Sequence, residues 1–375
     1  MYYDLRAYAL FLSCRTEFWE CVGMFFAHFD EKSDNYRGLR LRGNDIFITF
    51  AHNPFTGMQR HTNIVLYMIN RELIRIKAVQ LVYANLVNGG RNIEEAVKEM
   101  DESLDQAYCM YHHMLNLICE VTDYAAQQYE ITCAQLLDRG RRELPNDRFI
   151  NNRFALQLES NRKLETFTLN HKDLRWTDHE DVVHAIYSLI AESPEYEVYM
   201  NSEEESYEAD REFWRTVYKK YIINNDLIDD ALEEWSIYWN CDRYVIDTFV
   251  LKTIRRFEET NGEQQPLLEQ YNNSDDHRFG RDLLVLTMRG REQYEQLITD
   301  HTRNWDFSRL AKMDVAVMLT ALAEIINIDS ISVNISINEY LNIAKTYCDL
   351  KNVKFINATL DGIVNDLRRQ GKLLK

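Results

Sequence analysis

The side chains best able to do chemistry in this chain are its histidines, cysteines and carboxylates, and their spacing limits what they could do. His179-Glu180-Asp181-Val182-Val183-His184 comes close to a zinc-protease motif, in which two histidines one turn apart share a metal. Here they stand five residues apart, about 140° around a helix, so one ion cannot take both. His112-His113 points to opposite sides of a helix and reads as packing or surface. Gly38 and Gly43 have the spacing of a phosphate loop, but no Lys-Ser/Thr follows. No nucleophile elbow or kinase set occurs. The seven cysteines are odd in number and scattered, with no Cys-x-x-Cys pair. They predict neither a disulfide framework nor a zinc site, but reduced thiols in a cytoplasmic protein. The carboxylates form no pair suited to acid–base work. The expectation is a protein that is not an enzyme, with no cofactor and no metal.

The elements that must carry these residues are helices. In 375 residues there are only 12 Gly and 4 Pro, too few breakers for a many-stranded sheet. No apolar run is long enough for a membrane span. The apolar patch Ala7 to Ser13 lacks the basic flank and cleavage site of a signal peptide. The net charge of −17 is uneven: residues 1–67 sum to zero, 279–375 to +1, and the middle to −18. An acidic middle cannot grip phosphates non-specifically, so nucleic-acid binding would need a local patch elsewhere.

Three stretches follow. Residues 1–67 hold 14 aromatics and 4 glycines, with poor periodicity across Asp30 to Gly57. They read as an atypical extension, and Met68 as a candidate true start. A clean helix then places Ile69, Leu73, Ile76, Val79, Tyr83 and Leu86 on one stripe and ends at Asn88-Gly89-Gly90. Residues 68–270 continue as a charged helical region, with breaks near Leu144-Pro145-Asn146-Asp147, Ser193-Pro194, Glu203-Glu204-Glu205 and Asn261-Gly262. In residues 271–375, Met313 to Ile328 is almost wholly apolar, with Thr320, Glu324 and Asn327 on a narrow polar stripe, as in a buried central helix. Ser336-Ile337-Asn338-Glu339 reads as a capping box. A last helix aligns Ile356, Leu360, Ile363 and Leu367.

Several of these segments, in order, resemble the NusB family of transcription antitermination factors. They are Phe279-Gly-Arg-Asp-Leu-Leu284, Asn304-Trp305-Asp306-Phe-Ser-Arg309-Leu310, Met313-Asp314, Ala321-Leu-Ala-Glu324, Ile337-Asn338-Glu339, Ala344-Lys345 and Phe355-Ile356-Asn357-Ala-Thr-Leu360-Asp361. Arg71 to Tyr83, with Ala78-Val79-Gln80-Leu-Val-Tyr83, is similar to the family's first helix. The intervening Asn151-Asn-Arg-Phe, Tyr238-Trp239-Asn240 and Lys252-Thr253-Ile254 resemble the enlarged form of the Bacteroides group. The resemblance implies an all-α fold, a NusB-like pair of helical bundles with an enlarged helical middle region. It implies a factor that binds the box A RNA of ribosomal RNA leaders together with NusE, a ribosomal protein, and joins the elongating RNA polymerase complex.

Site residues carry over where the motif matches. Arg71, Arg75 and Lys77 match the family's arginine motif and are expected phosphate contacts. Lys354 and Phe355 match positions that reach RNA in the family, and Tyr83 and Asp314 match its surface for NusE. The chain also departs from the pattern: Glu72 and Leu73 thin the arginines, Ser332 replaces a usual proline, and Asn352-Val353 and Ala358 replace small residues. Two other readings stand beside this one. An rRNA methyltransferase with a NusB-like domain is opposed by the missing Gly-rich methyl-donor loop. A helical protein-binding adaptor in ribosome assembly, with weak or no RNA contact, fits the acidic middle and the thinned arginines.

Overall fold

The computed structural model describes residues 67–90, 92–271, 274–302, 307–373 and 375. The expected N-terminal extension, apart from Tyr67, and the Asn304-Trp305-Asp306 segment lie outside the described residues. The fold is all-α, and no strand forms among the described residues. The helices of the first two-thirds are α1 (Arg71–Val87), α2 (Ile93–Asp138), α3 (Arg153–Glu159), α4 (Arg162–Asn170), α5 (Glu180–Ala191), α6 (Pro194–Asn201), α7 (Tyr207–Val217), α8 (Asp226–Trp235) and α9 (Trp239–Arg256). The last third holds α10 (Ser274–Arg289), α11 (Arg291–His301), α12 (Lys312–Asn327), α13 (Val333–Tyr347) and α14 (Leu350–Arg369).

Local chemistry sets the ends of α1. The Asn70 side chain accepts the Leu73 N–H at 2.9 Å, and Glu72 in the first turn favours the positive end of the helix dipole. At the other end Gly89 and Gly90 adopt φ of 82° and 98°, and the Gly90 N–H reaches the Asn85 carbonyl at 3.1 Å. The chain enters α1 beside the segment that precedes α10: Met68 and Ile69 donate to the carbonyls of Glu269 and Gln270 at 2.8 and 2.9 Å.

Two sets of helices share the core. In the first, α1 packs on α10 and α12, α12 on α13, and α11 and α13 on α14. In the second, α2 packs on α5 and α9, and α3 and α9 on α7. Helix α2 also touches α1 and α10, so its 46 residues, about 69 Å at 1.5 Å per residue, run through both sets. The last helix buries Ile356, Leu360, Ile363 and Leu367 as its periodicity predicts. Helix α12 is buried from Met313 to Ile325, as its apolar run predicts.

Two expectations are corrected. Helix α1 is covered almost all round from Leu73 to Leu86, rather than along one stripe, because it lies between other helices. Ser336 is no N-cap: α13 begins at Val333, and Ser336 sits one turn inside it, buried, with its hydroxyl turned onto another helix. Of the two readings of His112 and His113, packing holds, since both are buried. His112 stacks on Phe167 at 4.5 Å, and His113 stacks on Trp176 at 4.5 Å and meets the edge of Trp235 at 4.3 Å.

Candidate functional site

The residues singled out by sequence fall at the two ends of the α1–α12 pair. At one end Arg75, one turn into α1, meets Glu324 in the last turn of α12. Its Nε donates to Glu324 Oε2 at 2.8 Å and its Nη2 to Oε1 at 3.0 Å, a two-pronged match of guanidinium and carboxylate. Helix α13 completes the shell. Ser336 donates to Glu324 Oε1 at 2.7 Å, Tyr340 donates to Oε2 at 3.1 Å, and Glu339 lies 3.5 Å from the guanidinium. Both side chains of the central pair are buried. Burial alone would lower the Arg75 pKa, but the hydrogen bonds and charge of Glu324 outweigh it, and the net direction is up.

That geometry corrects the expectation for Arg75. A guanidinium that left for an RNA phosphate would strand Glu324 as an unpaired buried carboxylate, at a cost of about 3–5 kcal/mol. Lys77 is corrected on the same ground. It is buried, and its Nζ lies 2.5 Å from Asp242 Oδ2 on α9, an ion contact without hydrogen-bond alignment. The pair ties α1 to the acidic middle region. Arg71 differs: it lies at the start of α1, is 43% exposed, and pairs with Asp276 at 3.2 Å, beside the Phe279 ring.

Because Arg75 near the start of α1 meets Glu324 near the end of α12, and the two helices pack extensively, they run antiparallel. Tyr83, eight residues past Arg75, and Asp314, ten before Glu324, therefore fall at the opposite end. Asp314 is buried there and accepts the Asn352 side chain, in the first turn of α14, at 2.7 Å. Burial pushes its carboxyl up, against hydrogen bonds from Cys348 and Asn352 that favour the charged form. Lys354, exposed, and Phe355, half-buried, follow on the same turn of α14. The structure thus brings Tyr83, Asp314, Lys354 and Phe355 to one end and leaves Arg71 at the other, with about 15 Å of helix between Glu324 and Asp314.

Sequence reading missed Tyr340 as a member of the buried polar cluster. It placed Glu324 on a polar stripe and Ser336 in a cap. The available signal was Glu324 itself: a lone carboxylate within an apolar helix requires a buried cation or donors. The histidines of the zinc-like motif diverge. His184 stacks on Tyr124 at 4.0 Å, whereas His179 lies 3.7 Å from Glu234.

Comparison with known proteins points one way. The family model described as the NusB family matches residues 246–365, from within α9 to within α14. The transcription antitermination protein NusB of Salinibacter ruber is 29% identical over 135 residues, covering 34% of this chain and 82% of that protein. The NusB of Bacillus licheniformis is 36% identical over 89 residues, 24% of this chain and 69% of its own length. That of Bacillus pumilus is 32% identical over 92 residues, 24% of this chain and 70% of its own length. No solved structure matches the chain.

Proposed function

The chain belongs to the NusB family, and on that premise we propose that it is a non-enzymatic transcription antitermination factor of the cytoplasm. It binds the box A element of ribosomal RNA leaders together with NusE, and the complex joins elongating RNA polymerase. The observation that carries this reading is the return of α1 to the matched helices. A helix lying well before residue 246, which resembles the family's first helix, packs on α10 and α12 of the matched stretch, although the middle region separates them in sequence. Residues 271–375 with α1 form the NusB-like part, and the remainder of 68–270 the enlarged acidic part.

Arg71, Lys354 and Phe355 contact the RNA, with Arg71 as the phosphate contact. The end of the bundle with Tyr83 and Asp314 faces NusE. Asp314 acts there by holding Asn352 and the first turn of α14 in place, since its own carboxylate is covered. The acidic middle, at −18, repels phosphates and confines RNA to the bundle surface. The test is binding of the full chain to box A RNA and to a scrambled control, with and without NusE. Box A preference that NusE strengthens supports the reading. NusE binding with no RNA preference supports the adaptor alternative, which the burial of Arg75 and Lys77 favours by removing two cations from the RNA surface.

A further inference from the structure

The charge of the enlarged region is uneven in its turn. Residues 68–278 sum to −18, yet one face of the packed α7–α9 pair is basic. The two helices run antiparallel. Arg211 of α7 donates from Nη1 to the Phe257 carbonyl, just past α9, at 2.6 Å. Tyr218, just past α7, donates to Asp247 Oδ1, halfway along α9, at 2.7 Å. On α7 and the π-helical turn Tyr218–Ile222 that continues it, Arg211, Arg215 and Lys219 follow at four-residue steps. On α9, Tyr244, Thr248, Lys252 and Arg255 lie within about 80° of one another at 100° per residue. The Glu212 carboxyl joins the two rows. Hydrogen bonds from Arg215, one at 2.7 Å, hold it below the ordinary carboxylate range, and the charges of Arg215, Arg211 and Arg255 add to them. A charge on α9 acting on a carboxylate of α7 places both rows on one side of the pair.

Most of these cations are uncommitted. Lys219, Lys252 and Arg255 are exposed and form no ion pair with a described residue. Lys252 rests instead over the Phe249 ring, 5.0 Å from its centroid. Glu208, Glu258 and Glu259 lie beyond Arg211 and close the face at that end. The other end leads to the bundle. Tyr244, one turn before Thr248, meets Tyr347 at the end of α13, with the hydroxyls 3.4 Å apart. Tyr347 stands just ahead of α14, whose first turns carry the exposed Lys351 and Lys354. From Tyr244 to Arg255 the row extends about 16 Å along α9. Beyond Tyr244 the two rows hold no aromatic side chain, so bases find no stacking platform and the face suits phosphates alone. Screening over about 8 Å in physiological salt lets it act against the net charge farther off.

We propose that the RNA surface of the bundle continues past Tyr347 and Tyr244 onto this α7–α9 face, where Lys219, Lys252 and Arg255 hold the phosphates of single-stranded RNA flanking box A. This rests on the RNA-binding reading above, and the rest of the middle still turns phosphates away. The experiment compares box A RNA with the same RNA carrying a single-stranded tail, 5′ or 3′, on the full chain with NusE over a salt series. Wild type should bind one tailed RNA more tightly than box A alone. Its log–log salt slope should be steeper by about 2, at about 0.7 per phosphate contact. Changing the tail's sequence should alter nothing, because phosphates carry no base identity. The triple variant Lys219→Ala, Lys252→Ala, Arg255→Ala, its folding checked by circular dichroism, should lose that gain and bind box A alone like wild type. Box A binding with no gain from either tail, or a gain the variant keeps, overturns the proposal alone. Failure of box A itself to bind overturns both the proposal and the reading beneath it. A tail without effect, together with polyglutamate binding that the variant loses, would assign the face to an acidic protein instead.

Discussion

Replacing Glu324 with leucine tests the buried centre of the fold most directly. The carboxylate is fully buried and accepts four hydrogen bonds, two from Arg75 and one each from Ser336 and Tyr340. Its loss leaves the Arg75 guanidinium, itself buried, facing apolar side chains and two hydroxyls. Removing one member of a buried ion pair typically costs about 3–5 kcal/mol, because the charge left behind stays desolvated and unpaired. The remaining Glu339, 3.5 Å away and half-exposed, offsets part of that, so the lower half of the range is expected. Arg75→Met should cost a comparable amount by stranding Glu324. The double variant Arg75→Met with Glu324→Leu should cost less than either single change, since two apolar groups of similar volume satisfy each other. Urea unfolding followed by circular dichroism measures all three. Costs that simply add, or single changes below about 1 kcal/mol, would refute the structural role of the pair. A stable Arg75→Met that loses RNA binding would return Arg75 to the list of phosphate contacts.

Arg71→Ala should flatten the salt dependence of RNA binding by about 0.7 in the log–log slope, the loss of one phosphate contact on a single strand. An unchanged slope removes Arg71 from the site. Asp314→Asn should lower stability by about 1 kcal/mol through a weakened hydrogen bond to Asn352. It should weaken NusE binding less than tenfold in titration calorimetry; a hundredfold loss would mean that the carboxylate meets NusE directly. Burial lowers the pKa of His112 and His113 to about 3, so the unfolded chain takes up their protons first as pH falls below 6.5. Their contribution is complete above pH 6.5 and declines toward pH 3, at about 1.4 kcal/mol per histidine per pH unit once well below 6.5. Asp247, raised by burial to about 6, acts in the opposite sense between about 3.8 and 6. His113→Phe should therefore shrink the stability lost between pH 6.5 and 5.5 by about 1 kcal/mol, and a pH profile parallel to wild type would count against the buried neutral imidazole.

Much of the fold could be read from local pattern. The scarcity of Gly and Pro, the apolar run of α12 and the stripe of α14 each state which side of a helix must leave water, and that preference is written within a few turns of chain. The breaks at Asn88-Gly89-Gly90 and Ser193-Pro194 follow from backbone chemistry that two or three residues settle alone. The fate of the polar side chains was not local. Arg75 and Arg71 are the same residue type one turn apart, yet one is buried against a carboxylate 249 positions away and the other is exposed. Nothing within a turn of either distinguishes them, because what decides is which helix lies alongside. Ser336 followed by Glu339 has the spacing of a cap, but α13 starts three residues earlier, and Glu324 across the core takes the hydroxyl. Asp314 looked like a surface charge in a first turn until α14 laid Asn352 over it. Periodicity fixes the direction in which a side chain leaves its helix, whereas charge pairing depends on distances in three dimensions, and those exist only once the helices have packed.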